Sequence, residues 1–440
     1  MTDAFAKTTD SATADVLPQG RWYHRIGPGL ITACVVIGPG SITTSSQVGA
    51  NYGYSMLWVV VCSVIMMLTF MTMSARIGAV AGASNGSLIT KHLGRWLAVF
   101  LSSCVFFMAA AFQFGNNIGI YAAMAEFETG ISKVPGLKMW HLVVLFNILA
   151  ISFLFVFENL YKAIERLMAV FVGVMLVSFA INLGFAQPNL LELAKGLVPP
   201  IHLLWGGGMS DAPIDLSLLG MVGTTLVISG AYYQAYLVRQ KGWTQRELSS
   251  GLLDARVGAV LMMLITLMLV STAAGALRGV EIKETRDIAA GLTIFGTMGR
   301  VVFSIGLFSA AYSSFLVNSM VGGFVLSDGL GLGSNPRQLA PRLATTAVLL
   351  VGMIVALITI SSGTKPMPAI VFGQAVTVIA SPLVAGVLLY LCNRRDVMGN
   401  HCNGWLLNVL GVIGLITLLA MATYTATTKV WPEVSGWLNR

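Results

Sequence analysis

The sequence predicts an all-α polytopic membrane protein of about eleven spans: two five-helix repeats of inverted orientation plus an eleventh helix, with helices 1 and 6 broken at mid-membrane. Three observations lead there. Of 440 residues, 56% are hydrophobic and 10% are charged, whereas soluble domains carry roughly 25% charge. Apolar runs of about 20 residues, the length that crosses a bilayer core, recur along almost the whole chain. Two of those runs are interrupted, at positions that correspond if the chain is a tandem of repeats.

Residues 1–26 are polar, hold no apolar stretch that could act as a signal, and read as a cytoplasmic N-terminal tail. Spans follow near 27–50, 54–75, 97–124, 139–157, 164–184, 216–238, 257–277, 300–326, 342–361, 368–392 and 405–424. One transmembrane domain thus covers 27–424, with repeats at 27–184 and 216–392, and 425–440 form an extracytoplasmic tail. An odd number of spans puts the termini on opposite faces.

The loop cations set the orientation. Lys7, Arg21, Arg25, Arg76, Lys91, Arg95, Lys162, Arg166, Arg239, Lys241, Arg246, Arg256, Arg337, Arg342, Arg394 and Arg395 fall on the face that carries the N-terminus, and Lys and Arg concentrate on the cytoplasmic side. The opposing loop at 278–300 holds Arg278, Lys283, Arg286 and Arg300, offset in part by Glu281, Glu284 and Asp287.

The net charge of +8 resides in these loops, so nucleic acid is not an expected partner. The cysteines Cys34, Cys62, Cys104, Cys392 and Cys402 are scattered, without metal-ligand spacing. The histidines lie in loops or near span ends, and no HExxH pattern occurs. No catalytic constellation lies within the spans, so an enzyme is not expected; nor is a bound cofactor or resident metal.

Span 1 contains Gly38-Pro39-Gly40-Ser41 at its middle, where an imino acid and two glycines remove helical hydrogen bonds that lipid cannot replace. Span 6 carries Ile228-Ser229-Gly230 inside an apolar run; a lone Gly there is more often a packing residue. Interrupted helices so placed point to a secondary transporter with a midplane substrate site.

The sequence resembles the Nramp family of divalent-metal transporters. The resemblance rests on Gly27-Pro28-Gly29, on Gly49 through Trp58, on Gly306-Leu307-Phe308 with Ser313-Ser314, on Gln374 and Pro382, and on Met398-Gly399 with Asn403. It implies a LeuT-type fold, alternating access and a bacterial inner membrane. It also implies a changed site. The family's Asp-Pro-Gly-Asn becomes Gly38-Pro39-Gly40-Ser41, and its Met-Pro-His becomes Val227-Ile228-Ser229. A later family histidine falls on Gln234, and the acids of its proton pathway fall on Gln113 and Asn116. Independently of that comparison, no Asp or Glu lies between residue 27 and Glu126, or between Asp215 and Glu247.

A carboxylate at about 4 Å and an effective dielectric of about 20 is worth roughly 8 kcal/mol to a dication. Without one, tight binding of a bare transition metal is not expected. The restarting half-helices instead offer N-terminal dipoles beside hydroxyls and amides, which favour an anion or the acid end of a zwitterion. The expected substrate residues are Gly38, Gly40, Ser41 as the N-cap, Thr44, Ser45, Val227, Ser229, Gly230, Tyr233 and Gln374, with Gln113, Asn116 and Gln234 along the pathway. The bland reading for each hydroxyl is a bond back to the preceding turn. The alternative substrate is Mg²⁺ or Mn²⁺ carried as a weakly held hydrated ion without proton coupling. The partners are therefore a small-molecule or ion substrate and the lipid bilayer, and both monomer and dimer stay open.

Overall fold

The computed structural model describes residues 27–128, 136–157, 159–199, 216–282, 285–363 and 366–431. Among them all regular structure is helical. Span 1 is Pro28–Val36 followed by Pro39–Tyr52, span 2 is Leu57–Val80, span 3 is Arg95–Met124, span 4 is Met139–Val156 and span 5 is Leu160–Ala186. Span 6 is Leu216–Thr225 followed by Ile228–Lys241, span 7 is Leu248–Ala276 and span 8 is Gly296–Gly329. Spans 9, 10 and 11 are Leu339–Ser361, Pro366–Asn393 and Trp405–Thr425. Eight described helices are each long and apolar enough to cross a membrane, and the two halves of span 1 pass together across a 60° bend. Span 11 outruns its expected end, continuing into a wider π turn over Ala426–Val430.

Local chemistry sets many boundaries. Pro28 and Pro39 each open a half-helix at the first helical position, where a missing N–H costs nothing. Asn159 caps span 5 by accepting from the Lys162 N–H at 3.3 Å. Gly242, at φ +79°, ends span 6 in the left-handed region that glycine tolerates.

Span 8 is the hub, with 72% of its apolar window buried against 22% for span 11. It packs on spans 3, 5 and 9 and on the first half of span 1, while span 7 lies along both halves of span 1. Small residues bring these helices together. A side chain on Gly29 would strike the Asp254 carbonyl, one on Gly49 the Val270 carbonyl, and one on Gly78 the Ala235 backbone. At the periphery, Phe107, Ile148, Val170, Ile354 and Ile416 stay exposed, an apolar surface that requires lipid. On the face opposite the expected cytoplasmic one, Arg300 pairs with Glu126 at 2.7 Å, which neutralises one cation of the loop that ran against the charge bias.

Candidate transport site

Pro39 carries no N–H, so the carbonyl four residues earlier, on Val35, loses its helical partner. Span 8 supplies the replacement: Asn318 Nδ2 donates to Val35 O at 3.3 Å and Ser314 Oγ lies 3.5 Å from it. Asn318 Nδ2 also donates to Ser314 Oγ at 2.8 Å. The interruption occupies Ile37 and Gly38, and Gly38 is the N-cap in extended geometry with no side-chain cap. Ser41 is therefore not the N-cap the sequence suggests. It stands at the third helical position, buried, with its Oγ unpartnered.

Span 6 breaks at Leu226 and Val227, two residues before the expected Ile228-Ser229-Gly230, and Val227 is the N-cap of the restart. Each break divides its span alike: 9 residues then 14 in span 1, 10 then 14 in span 6. The first N–H groups of each restart lack helical partners and point toward the interruption.

Val35, Val36, Gly38, Gly40, Ser41, Phe112, Gly115, Asn116, Thr224 and Ser314 enclose a cavity of about 10 Å³ at the span 1 break, room for a single water molecule. Of the expected residues, Gly38, Gly40, Ser41 and Asn116 line it. Asn116 Oδ1 and Ser314 Oγ crowd Gly38, where a side chain would meet both. Thr44 sits beside the cavity, its Oγ1 3.5 Å from Thr224 Oγ1, but donates to Gly40 O at 3.0 Å. The bond to the preceding turn is thus realised there. Ser45 is buried with an unpartnered Oγ.

The other expected residues lie elsewhere. Gly230 packs against Val35, so it serves the contact between spans 1 and 6. Val227 and Ser229 are buried at the restart and do not line the cavity. Tyr233 belongs to an aromatic cluster, stacked on Tyr236 at 5.6 Å and edge-on to Phe324 at 6.1 Å. Gln234 accepts from the Thr32 hydroxyl of span 1 and leaves its Nε2 unpartnered. The Gln374 side chain lies outside the described residues.

Gln113 and Asn116 begin a chain of amides. Asn116 Nδ2 donates to Gln113 Oε1 at 2.8 Å, and Gln113 Nε2 donates to Phe315 O at 2.9 Å. Asn117 Nδ2 donates to Gln113 O at 2.8 Å, and Asn147 Nδ2 donates to Asn117 Oδ1 at 2.7 Å. These amides clamp span 3 to spans 4 and 8, and none of them titrates. Among the described residues no cluster of His, Cys, Asp or Glu could hold a metal ion. Sequence reasoning missed Thr224 as a lining residue and did not place Ser314, Phe112 or Gly115 at the site. Their types carry no signal; only the rotation of spans 3, 6 and 8 about the break brings them in.

A helical membrane bundle with two interrupted spans, both lending residues to a small buried cavity of mixed lining, is the architecture of a secondary transporter. The family model described as natural resistance-associated macrophage protein-like matches residues 29–428, and the chain belongs to this Nramp family. It is 24% identical over 444 residues to a divalent metal cation transporter MntH of Deinococcus radiodurans, covering 99% of this chain and 95% of that protein. To the MntH of Chromohalobacter salexigens it is 26% identical, covering 92% and 91%. A crystal structure of a mutant of the Eremococcus coleocola manganese transporter superposes with a TM-score of 0.76 at 18% identity, covering 92% of this chain and 87% of that one. Mhp1, a nucleobase-cation-symport-1 family transporter, superposes with a TM-score of 0.54 at 13% identity, covering 93% and 94%.

Proposed function

We propose that this chain is a secondary transporter that carries a divalent cation, Mg²⁺ or Mn²⁺, with most of its water shell retained. The observation that carries the reading is the donor set at the break: Ser41, Asn116, Thr224, Ser314 and nearby carbonyls, all neutral oxygen or amide groups. Relatives named as divalent metal cation and manganese transporters supply the ion class, and they move the balance away from the anion that helix dipoles alone suggest. Hard neutral oxygens suit a hard dication, and the described lining holds no thioether or imidazole that would favour softer metals. Without a carboxylate in its described lining, the site does not offset full dehydration, so the ion keeps water and binds weakly. A cavity of about 10 Å³ is too small for such an ion, so loading requires the halves of spans 1 and 6 to move apart.

Among the described residues nothing lining the cavity or in the amide chain changes charge with pH, so transport runs without the proton coupling that titrating groups would give. The equal division of spans 1 and 6 supports repeats at 27–184 and 216–392, and the loop cations support a bacterial inner-membrane protein with a cytoplasmic N-terminus. The test is uptake into proteoliposomes. Saturable entry of Mn²⁺ or Mg²⁺, unaltered by a pH gradient, is expected; entry of small organic acids with no metal flux would replace this reading with the anionic one.

A further inference from the structure

We propose that the vestibule beside the start of span 1 is an oxyanion site, built to take a multiply charged phosphate group. The hollow measures about 390 Å³ and is lined by Asn159, Leu160 and Tyr161 of span 5, Tyr236, Arg239 and Gln240 of span 6, and Ser334 through Arg337 of the loop between spans 8 and 9. That volume lies within the range of small-ligand sites. Arg239 and Arg337 reach it from separate elements, and among the described residues neither guanidinium has an ion pair. The neighbouring cation is already engaged: Lys241 pairs with Glu165 at 2.8 Å. No carboxylate belongs to the described lining.

Membrane topology alone puts arginines on this face. It does not put two of them around one hollow with unsatisfied donors. Gln240 buries both ends of its amide without a hydrogen bond, lying beside Tyr233 Oη, which also lacks a partner of normal geometry. Tyr161, 7% exposed, stands beside Glu165 and turns its Oη toward that carboxylate, so it walls the hollow without adding a donor to it. Two guanidiniums and an amide N–H₂ form the donor set of the hollow, and Arg forks match phosphate oxygens bidentately. A bound oxyanion also cancels the positive field that the arginines place at the mouth, a field opposed to a departing cation. The site goes beyond the transport reading and stands whichever ion crosses the break.

Inorganic phosphate and anionic phospholipid head groups share this chemistry, and thermal unfolding of the purified full-length protein separates them. One arm titrates inorganic phosphate against chloride at matched ionic strength; the other adds phosphatidylglycerol against phosphatidylcholine. Saturable stabilisation by phosphate, weakened about tenfold by Arg239→Gln or Arg337→Gln and abolished by both, identifies a free anion. Stabilisation only by phosphatidylglycerol, lost in the same variants, identifies a lipid head group. Stabilisation by neither, or one that both variants retain, overturns the proposal. The arginines are exposed, so their substitution leaves the fold intact.

Discussion

Asp254 on span 7 anchors the beginning of span 1. Its Oδ1 accepts from the Gly27 N–H at 2.6 Å and its Oδ2 from the Gly29 N–H at 2.5 Å, with the residue 1% exposed. These N–H groups open a helix and have no partner of their own, so the carboxylate meets both the hydrogen-bond demand and the dipole of the helix start. Asp254→Asn keeps one carbonyl oxygen and turns the other acceptor into an N–H₂ facing a donor. A bond to a charged group contributes about 1.5–3 kcal/mol, and an unsatisfied buried donor costs about 1–3 kcal/mol; the two overlap, so a loss of about 2–4 kcal/mol is expected. Asp254→Ala strips both acceptors and costs more. Thermal unfolding in detergent, followed by tryptophan fluorescence, reads the loss as a fall in Tm of several degrees. Asp396→Asn is the control: that carboxylate is exposed and pairs with Arg394 at 2.7 Å, a surface pair of little net value. If Asp254→Asn melts with the wild-type protein, the anchoring argument is wrong.

Asp328 does the same for another junction, accepting from the Gly86 N–H at 2.7 Å and the Tyr236 hydroxyl at 2.6 Å; Asp328→Asn should lower Tm comparably. Gly119→Val places a branched side chain where even a Cβ overlaps the Pro39 ring; overpacking of about 1–3 kcal/mol is expected, with slowed uptake because the break can no longer close. Ser41→Ala and Asn116→Ala should raise the KM for metal uptake, Ser41→Ala with little change in Tm because its Oγ has no partner to lose. In the loop after span 6, the Thr244 hydroxyl and N–H hold the Glu247 carboxyl below its ordinary range. A depressed carboxylate contributes stability above its unfolded pKa and loses it as pH falls through the lower folded value. Thr244→Ala should therefore weaken folding more at neutral pH than in strong acid, where only the bond that the Thr244 hydroxyl accepts from the Arg246 N–H is left to lose, as acid-titrated melting would record.

The spans were legible because a bilayer core requires about 20 consecutive apolar residues and little else in a sequence mimics that. The span 1 break was legible because Pro39 removes a hydrogen bond wherever it lies in a helix. The span 6 break was displaced by two residues because no proline marks it. Tertiary packing fixes its position instead: Gly230 closes on Val35, and Ser74 donates to Tyr232 O and accepts from the Ala235 N–H, holding the restart against span 2. Residue type could not separate Ser41, which faces the cavity, from Tyr233, which packs among aromatics, since both are polar groups one or two turns past a break. Thr224 and Ser314 reach the site only through the rotation of spans 6 and 8, which no local pattern encodes.

If the proposed function holds, neutral oxygens at the span 1 break pass a hydrated dication. Proteoliposomes loaded with a metal-sensitive dye and given external Mn²⁺ or Mg²⁺, with and without a pH gradient, test it most directly. Saturable metal entry is expected, weakened in Asn116→Ala and unchanged across about pH 5 to 8. Entry that requires an inward proton gradient, or no metal entry at all, would contradict it.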